Sequence, residues 1–132
     1  MRVLIADDQA DVRSALKILL DQEDQLCLIY EADGIDEILM KTECMQPDLI
    51  LLDWELSNRD MAQTVEMLRQ LDPGVRIIAL SGRPEASDAA ALAGVDAFVS
   101  KGETADRLLK AIHGGEIRGT GQLVRYNTEQ MT

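Results

Sequence analysis

Five short apolar runs are spaced along the chain: Val3-Leu4-Ile5-Ala6, Leu26-Cys27-Leu28-Ile29, Leu49-Ile50-Leu51-Leu52, Ile77-Ile78-Ala79-Leu80 and Ala97-Phe98-Val99. Most are apolar at every position instead of every second one, the pattern of strands covered on both faces. Between them the period changes to that of a helix. Val12, Ala15, Leu16, Leu19 and Leu20 recur at three- and four-residue steps and form one stripe. Ile35, Ile38 and Leu39 make a weaker stripe, and Met61, Val65 and Leu68 another. The fourth segment, Glu85 to Ala93, is mostly alanine; Pro84 precedes it as a first-turn residue and Gly94 follows as a C-terminal cap. Alanine buries little per residue, so this fourth helix is expected to be mobile. The last helix carries Leu108, Leu109 and Ile112 and is expected to stop at Gly114-Gly115.

The unit strand-helix therefore occurs five times. Alternation at this pitch predicts an α/β fold with a parallel sheet and helices on both faces. Five units are too few for an eight-stranded barrel, which leaves an open, doubly wound sheet. The order 2-1-3-4-5 is expected, because it opens a crevice between the first and third strands. Beyond Gly115 the periodicity is lost, and Gly119, Gly121 and the polar run Tyr126 to Thr132 read as a tail or the start of a linker. A short ordered stretch at Leu123-Val124 is the exception. The expected division is one domain over 1–115 and a tail over 116–132.

The predicted topology brings distant polar residues together. Asp7 and Asp8 follow the first run, Asp53 the third, Ser81-Gly82 the fourth, and Lys101 stands two residues past the fifth. In open α/β sheets ligands bind outside the carboxyl ends of the strands, where strand order reverses. Three carboxylates gathered there would repel one another unless a cation joined them, and a hard divalent ion such as Mg²⁺ suits oxygen ligands. A carboxylate can also attack phosphorus to form an acyl phosphate. Charge on the equatorial oxygens would then fall to Mg²⁺, to the Lys101 ammonium and to the Ser81 hydroxyl with nearby backbone N–H groups.

Composition narrows the alternatives. The 132 residues are 46% hydrophobic and 28% charged, those of an ordinary globule, and the net charge of −11 repels phosphate backbones and anionic lipid. Nucleic-acid and membrane binding by this chain are therefore not expected. No apolar run approaches the roughly 20 residues that span a bilayer, and the N-terminus does not read as a signal peptide. Cys27 and Cys44 match no metal spacing and suit small apolar fillers in a reducing cytoplasm. His113, the only histidine, falls in the last turn of the last helix, where a cation suits the dipole. Trp54, the only tryptophan, stands beside Asp53 and borders the predicted site.

In this arrangement the chain resembles the receiver domain of two-component response regulators over about Arg2 to His113. The likeness is carried by Asp7-Asp8, by Asp53 after Leu49-Ile50-Leu51-Leu52, by Ser81-Gly82, by Lys101, and by Phe98 at the family's aromatic switch position. It implies a flavodoxin-like (βα)5 sandwich. It also implies that Asp53 accepts phosphate from a phosphohistidine on a partner histidine kinase or phosphotransfer protein. Asp8, Asp53 and the backbone carbonyl of Glu55 would hold Mg²⁺, with Asp7 acting through water. Ser81 would move toward the phosphoryl group and Phe98 would turn inward. The face of the fourth helix, fifth strand and fifth helix would then report the phosphate to a downstream protein, and dimerisation through that face is a further hypothesis from the resemblance. Departures from the family pattern are Ser57 and Met61, where Pro and Gly are usual, and Gly102 in place of the proline after the lysine. Glu55 and Arg83 occupy positions that influence phosphate lifetime in the family.

Other functions fit the residues less well. An aspartate-nucleophile phosphatase needs a second Asp two residues after the first, where Glu55 stands. A flavin or nucleotide module needs a glycine-rich turn after the first strand, and this turn is acidic. No Walker-type loop occurs. The expectation is a non-enzymatic receiver. It could stand alone, or form the regulatory half of a longer helix-turn-helix transcription regulator, with a phosphorylation-independent binding module as a further alternative. Gly94 to Gly115, including Ser100-Lys101-Gly102-Glu103, resembles the subgroup that carries such a DNA-binding domain.

Overall fold

A computed structural model describes residues 1–23, 27–57 and 60–114, together with the backbone of 117–118 and 122–123. Strands β1 (Arg2–Ala6), β2 (Leu28–Ala32), β3 (Leu49–Asp53), β4 (Arg76–Ser81) and β5 (Ala97–Ser100) alternate with helices α1 (Ala10–Asp21), α2 (Ile35–Met45), α3 (Met61–Leu71), α4 (Ser87–Ala93) and α5 (Ala105–Ile112). The five strands form one parallel sheet in the order β2-β1-β3-β4-β5, as the alternation predicts. A further pair, β6 (Ile117–Arg118) and β7 (Gln122–Leu123), is antiparallel. The predicted ordered stretch at Leu123-Val124 thus has its first residue in β7, while Gly115 and Val124 lie outside the described residues.

The unbroken apolar runs have a simple cause. Successive side chains of a strand point to opposite faces, and here each face is covered. Leu4, Ala6, Ile50, Leu52, Ile77 and Ala79 turn toward Ile38, Val65 and Leu68 of α2 and α3. Val3, Ile5, Leu49, Leu51, Ile78 and Leu80 turn the other way, toward Leu20, Leu108 and Ile112 of α1 and α5. No polar position is tolerated inside β1 or β3 until the strand ends, and β3 ends on Asp53.

Two expectations need correction. The second strand occupies 28–32 and not 26–29; Leu26 lies outside the described residues. Its register, Arg2 opposite Leu28 through Ala6 opposite Ala32, is set by pairing with β1. As an edge strand it is less covered, so Leu28 is 52% exposed and Glu31 is accommodated. Hydrophobicity alone therefore misplaces it. The stripe on α1 is also only partly covered: Leu20 is buried, while Val12, Leu16 and Leu19 are half-buried and Ala15 is exposed. Val12, Ala15, Leu16 and Leu19 line a groove of about 590 Å³ between α1 and α5 instead of a closed interface.

The alanine-rich segment opens as a short 3-10 turn over Pro84–Ala86 before α4 begins at Ser87. Ala86 and Ala90 are buried; Leu92 is 90% exposed. Gly94 closes α4 at φ +94°, a left-handed conformation that glycine adopts without steric cost. Arg69 fixes the turn that follows, donating to the Gly94 carbonyl at 2.8 Å and to Asp96 at 3.0 Å. Arg76 donates to the carbonyls of Ala111 (2.6 Å) and Ile112 (2.9 Å), a cation placed against the last turn of α5.

Ile77→Ala, at a fully buried position of β4 facing α2 and α3, is expected to lower stability by about 3 kcal/mol. Leu92→Ala is expected to change it by less than about 0.5 kcal/mol. Urea denaturation of both variants checks this.

Candidate functional site

Side chains at the carboxyl ends of β1, β3, β4 and β5 converge as the topology requires. Asp7 follows β1 and is 1% exposed; Asp53 closes β3 and is 3% exposed; Asp8 is exposed. One carboxylate oxygen from each of Asp7, Asp8 and Asp53 lies within 4.8 Å of the others. The Lys101 ammonium sits between the buried pair, 3.0 Å from Asp7 Oδ2 and 3.2 Å from Asp53 Oδ1. Its backbone N–H donates to the Ser81 carbonyl at 2.7 Å, which carries the β5–α5 connection back over the site.

Backbone donors shape the two acidic loops. Asp7 Oδ1 accepts from the Gln9 N–H at 2.9 Å, and Asp53 Oδ1 accepts from the Glu55 N–H at 3.1 Å. Arg13 holds the first loop from α1: its guanidinium donates to the Asp7 carbonyl at 2.7 Å and to Glu31 at 2.8 Å. Hydrogen bonds from Arg13 and Lys17 hold the Glu31 carboxyl below its usual range.

The electrostatics of the centre are strained by burial. The Asp53 carboxyl is pushed above its ordinary value, first by desolvation and then by the Asp7 charge, which together outweigh the Glu55 N–H and Lys101. For Lys101 burial is the largest single influence and lowers it. The hydrogen bond to Asp7 and the charges of Asp53 and Asp7 outweigh that and leave the ammonium above its ordinary value. An anionic cluster with one resident ammonium and three convergent carboxylates is a fitting donor set for a divalent cation.

Ser81, buried at the end of β4, takes part in a different contact. Its hydroxyl donates to Glu55 Oε2 at 2.5 Å and its Oγ accepts the Arg83 N–H at 3.0 Å. Glu55 Oε1 accepts the Gly82 N–H at 3.1 Å. Phe98 is half-buried against the core that contains Ala86 and Ala90. Trp54 is 8% exposed, and with Glu55, Met61 and Arg83 it lines a depression of about 390 Å³ beside the site. His113 stands at the end of α5, where its Nε2 lies 2.6 Å from Glu23 Oε1.

The departures from the family pattern leave these groups in place. Met61 is buried as the first residue of α3, and Asp60 caps that helix by accepting the Ala62 N–H at 2.9 Å. A Cβ added at Gly102 would meet only Ser100 Oγ, at 3.9 Å. Asp7, Asp8, Asp53 and Lys101 are thus brought together as the sequence predicts. Two contributions were not foreseen: the Arg13 anchor and the Glu55 side-chain contact. Arg13 carries no sequence signal, since its partner Glu31 lies in another element. Glu55 does, by standing two residues from Asp53.

An acidic triad with a bridging lysine, at the switch point of a (βα)5 sheet, defines the class of response regulator receivers. The family model described as "Response regulator receiver domain" matches residues 3–113, and the chain belongs to that family of regulatory modules. It is 30% identical over 122 residues to the uncharacterized transcriptional regulatory protein YhcZ of Bacillus subtilis, covering 89% of this chain and 57% of the relative. The chain spans about half the length of the curated relatives it matches first. Among solved structures, a CheY-like receiver domain protein from Methanospirillum hungatei is 30% identical with a TM-score of 0.71, over 85% of this chain and 90% of that one. A LuxR family DNA-binding response regulator from Silicibacter pomeroyi is 28% identical with a TM-score of 0.74, over 96% of this chain and 99% of that one. No helix among the described residues is long and apolar enough to cross a membrane.

Because Asp53 binds its proton more tightly folded than unfolded, ionising it costs stability. The cost is absent below the unfolded carboxylate value and complete above the folded one. Asp53→Asn is therefore expected to stabilise the cation-free protein at pH 7.5 by about 1 kcal/mol and to give little gain at acidic pH. Urea midpoints in EDTA at the two pH values check the sign.

Proposed function

We propose that Asp53 accepts a phosphoryl group from a phosphohistidine on a sensor histidine kinase or phosphotransfer protein, and that the adduct switches a binding face. The observation that carries this reading is the Lys101 ammonium bridging buried Asp7 and Asp53 beside exposed Asp8. Oδ1 of Asp53 takes the hydrogen bonds from Glu55 and Lys101, which leaves Oδ2 as the attacking oxygen. Its lone pair forms the new O–P bond as the P–N bond of the donor breaks, and that electron pair returns to the imidazole nitrogen. Lys101 offers an ammonium to one equatorial oxygen and the Ser81 hydroxyl serves another.

The resident cation in this reading is Mg²⁺, held by Asp8, Asp53 and the Glu55 carbonyl, with Asp7 acting through water. When bound it supplies positive charge to the phosphoryl oxygens. The donor set supports this: three carboxylates, one carrying a raised pKa, are the arrangement that a hard divalent ion relieves. Phe98, half-buried next to α4, is the second switch residue, and the face of α4, β5 and α5 is the output, including its use in a homodimer. The receiver occupies 1–115, consistent with the family match over 3–113, and 116–132 form a tail or linker. We place the protein in the cytoplasm.

A second reading concerns the output. The likeness to a transcriptional regulatory protein and to a LuxR family DNA-binding regulator favours a receiver that governs a helix-turn-helix DNA-binding segment, with no direct nucleic-acid contact by these 132 residues.

Incubation with acetyl phosphate followed by intact mass measurement tests the main reading. One phosphoryl adduct is expected with Mg²⁺ and none with EDTA. Asp53→Asn is expected to show none, and Lys101→Ala to acquire it roughly tenfold more slowly or worse. The absence of an adduct, together with no response to beryllofluoride, would leave a phosphorylation-independent binding module.

A further inference from the structure

Glu55 sits on both hydrogen-bond donors at the end of β4. The Ser81 hydroxyl reaches Oε2 at 2.5 Å, the length of a charge-assisted O–H···O⁻ bond, and the Gly82 N–H reaches Oε1 at 3.1 Å. A serine hydroxyl has one hydrogen to give. Its nearer acceptor is Glu55 Oε2, with the Arg83 carbonyl at 3.2 Å, and a hydrogen given to either is not available to an oxygen on Asp53. The same carboxylate takes the neighbouring backbone N–H, so two oxygens of one anion fill the place that two oxygens of another would need.

We propose that the Glu55 carboxylate is a positioning residue that occupies the donors required by the phosphoryl group, so that phosphorylation exchanges one anion for another. This rests on the reading of Asp53 and Ser81 given above. A phosphoryl group on Asp53 adds negative charge two residues from Glu55 and repels it. Arg83 Nε lies 3.8 Å from Oε2, and its side chain is 61% exposed, so the displaced carboxylate has a cation to follow toward solvent. Glu55 itself is 34% exposed, which leaves that route open. The contact therefore raises the threshold for phosphoryl binding and keeps Ser81 off Asp53 in its absence.

The test uses the full chain with Mg²⁺ and beryllofluoride, followed by the fluorescence of Trp54, the only tryptophan. The proteins are wild type, Glu55→Ala, Glu55→Gln, Ser81→Ala and the Glu55→Ala/Ser81→Ala double variant. Glu55→Ala is expected to lower the half-saturating beryllofluoride concentration roughly tenfold, with Glu55→Gln between it and wild type. In the Ser81→Ala background the gain should shrink but not vanish, because one of the two contested donors is gone while the Gly82 N–H remains. The Gly82 amide proton should also move upfield in ligand-free Glu55→Ala. Equal half-saturation of Glu55→Ala and wild type would overturn the proposal. So would an undiminished gain in the Ser81→Ala background, which would reduce Glu55 to bare charge repulsion, or a Gly82 resonance that ignores Glu55. Binding by none of the five proteins, with the Gly82 shift present, would instead remove the phosphoryl-site reading, and the exchange with it.

Discussion

One ammonium makes the centre tenable. Asp7 and Asp53 are buried against each other at the ends of adjacent strands, and two ionised carboxylates in that setting repel through a medium that screens poorly. Lys101 lies within hydrogen-bond distance of both. It offsets only part of the cost of burial and repulsion, and the Asp53 carboxyl stays above its ordinary value, first through desolvation and then through the Asp7 charge. The remainder is an affinity for cations held in the fold itself. A site that were fully neutral would have no such demand, and one without Lys101 would resist closing.

The sheet is what enforces this arrangement. With both faces covered by helices, the strands have no solvated side on which to place charge, so polar groups collect where the strands end. Parallel strands end on the same side, and the order β2-β1-β3-β4-β5 sets the ends of β1 and β3 next to each other. Arg13 and the backbone N–H groups of Gln9 and Glu55 then hold the loops that carry the carboxylates. Relatives of about 30% identity match this chain across the whole of this sheet and its helices.

Around this centre the chain has features of its own. Met61 begins α3 as a buried residue, and Asp60 caps it, so the loss of the usual glycine is absorbed by packing. Glu55 reaches across from the β3 loop to the end of β4 and ties Ser81 and Gly82. Two anionic systems thus adjoin: the carboxylates that face a cation, and the Glu55 carboxylate that faces hydrogen-bond donors. They share the backbone of 53–55, so a change in one is felt by the other.

Much of this was readable from the amino-acid order. Runs such as Leu49 to Leu52 point to a strand buried on both faces, because a one-sided strand would require polar positions within them and the runs are too short for a helix. Stripes such as Met61, Val65 and Leu68 declare a covered helix face, and Asp7, Asp8, Asp53 and Lys101 declare a site once the strand order is inferred. The edge strand was less legible, because a strand with one neighbour tolerates Glu31 and exposes Leu28, and its place comes from pairing with β1. Nor could the stripe on α1 reveal that it borders an open groove; that depends on how far α5 stands from it. The contacts of Arg13 with Glu31 and of Glu55 with Ser81 join residues 18 and 26 positions apart. Local periodicity measures burial along one element, whereas such pairs exist only after the sheet has brought two loops to the same edge. The chain by itself determined which elements form and which residues gather at their ends. The tertiary structure alone decided which hydrogen each acceptor takes, because that is a matter of distance and direction between loops.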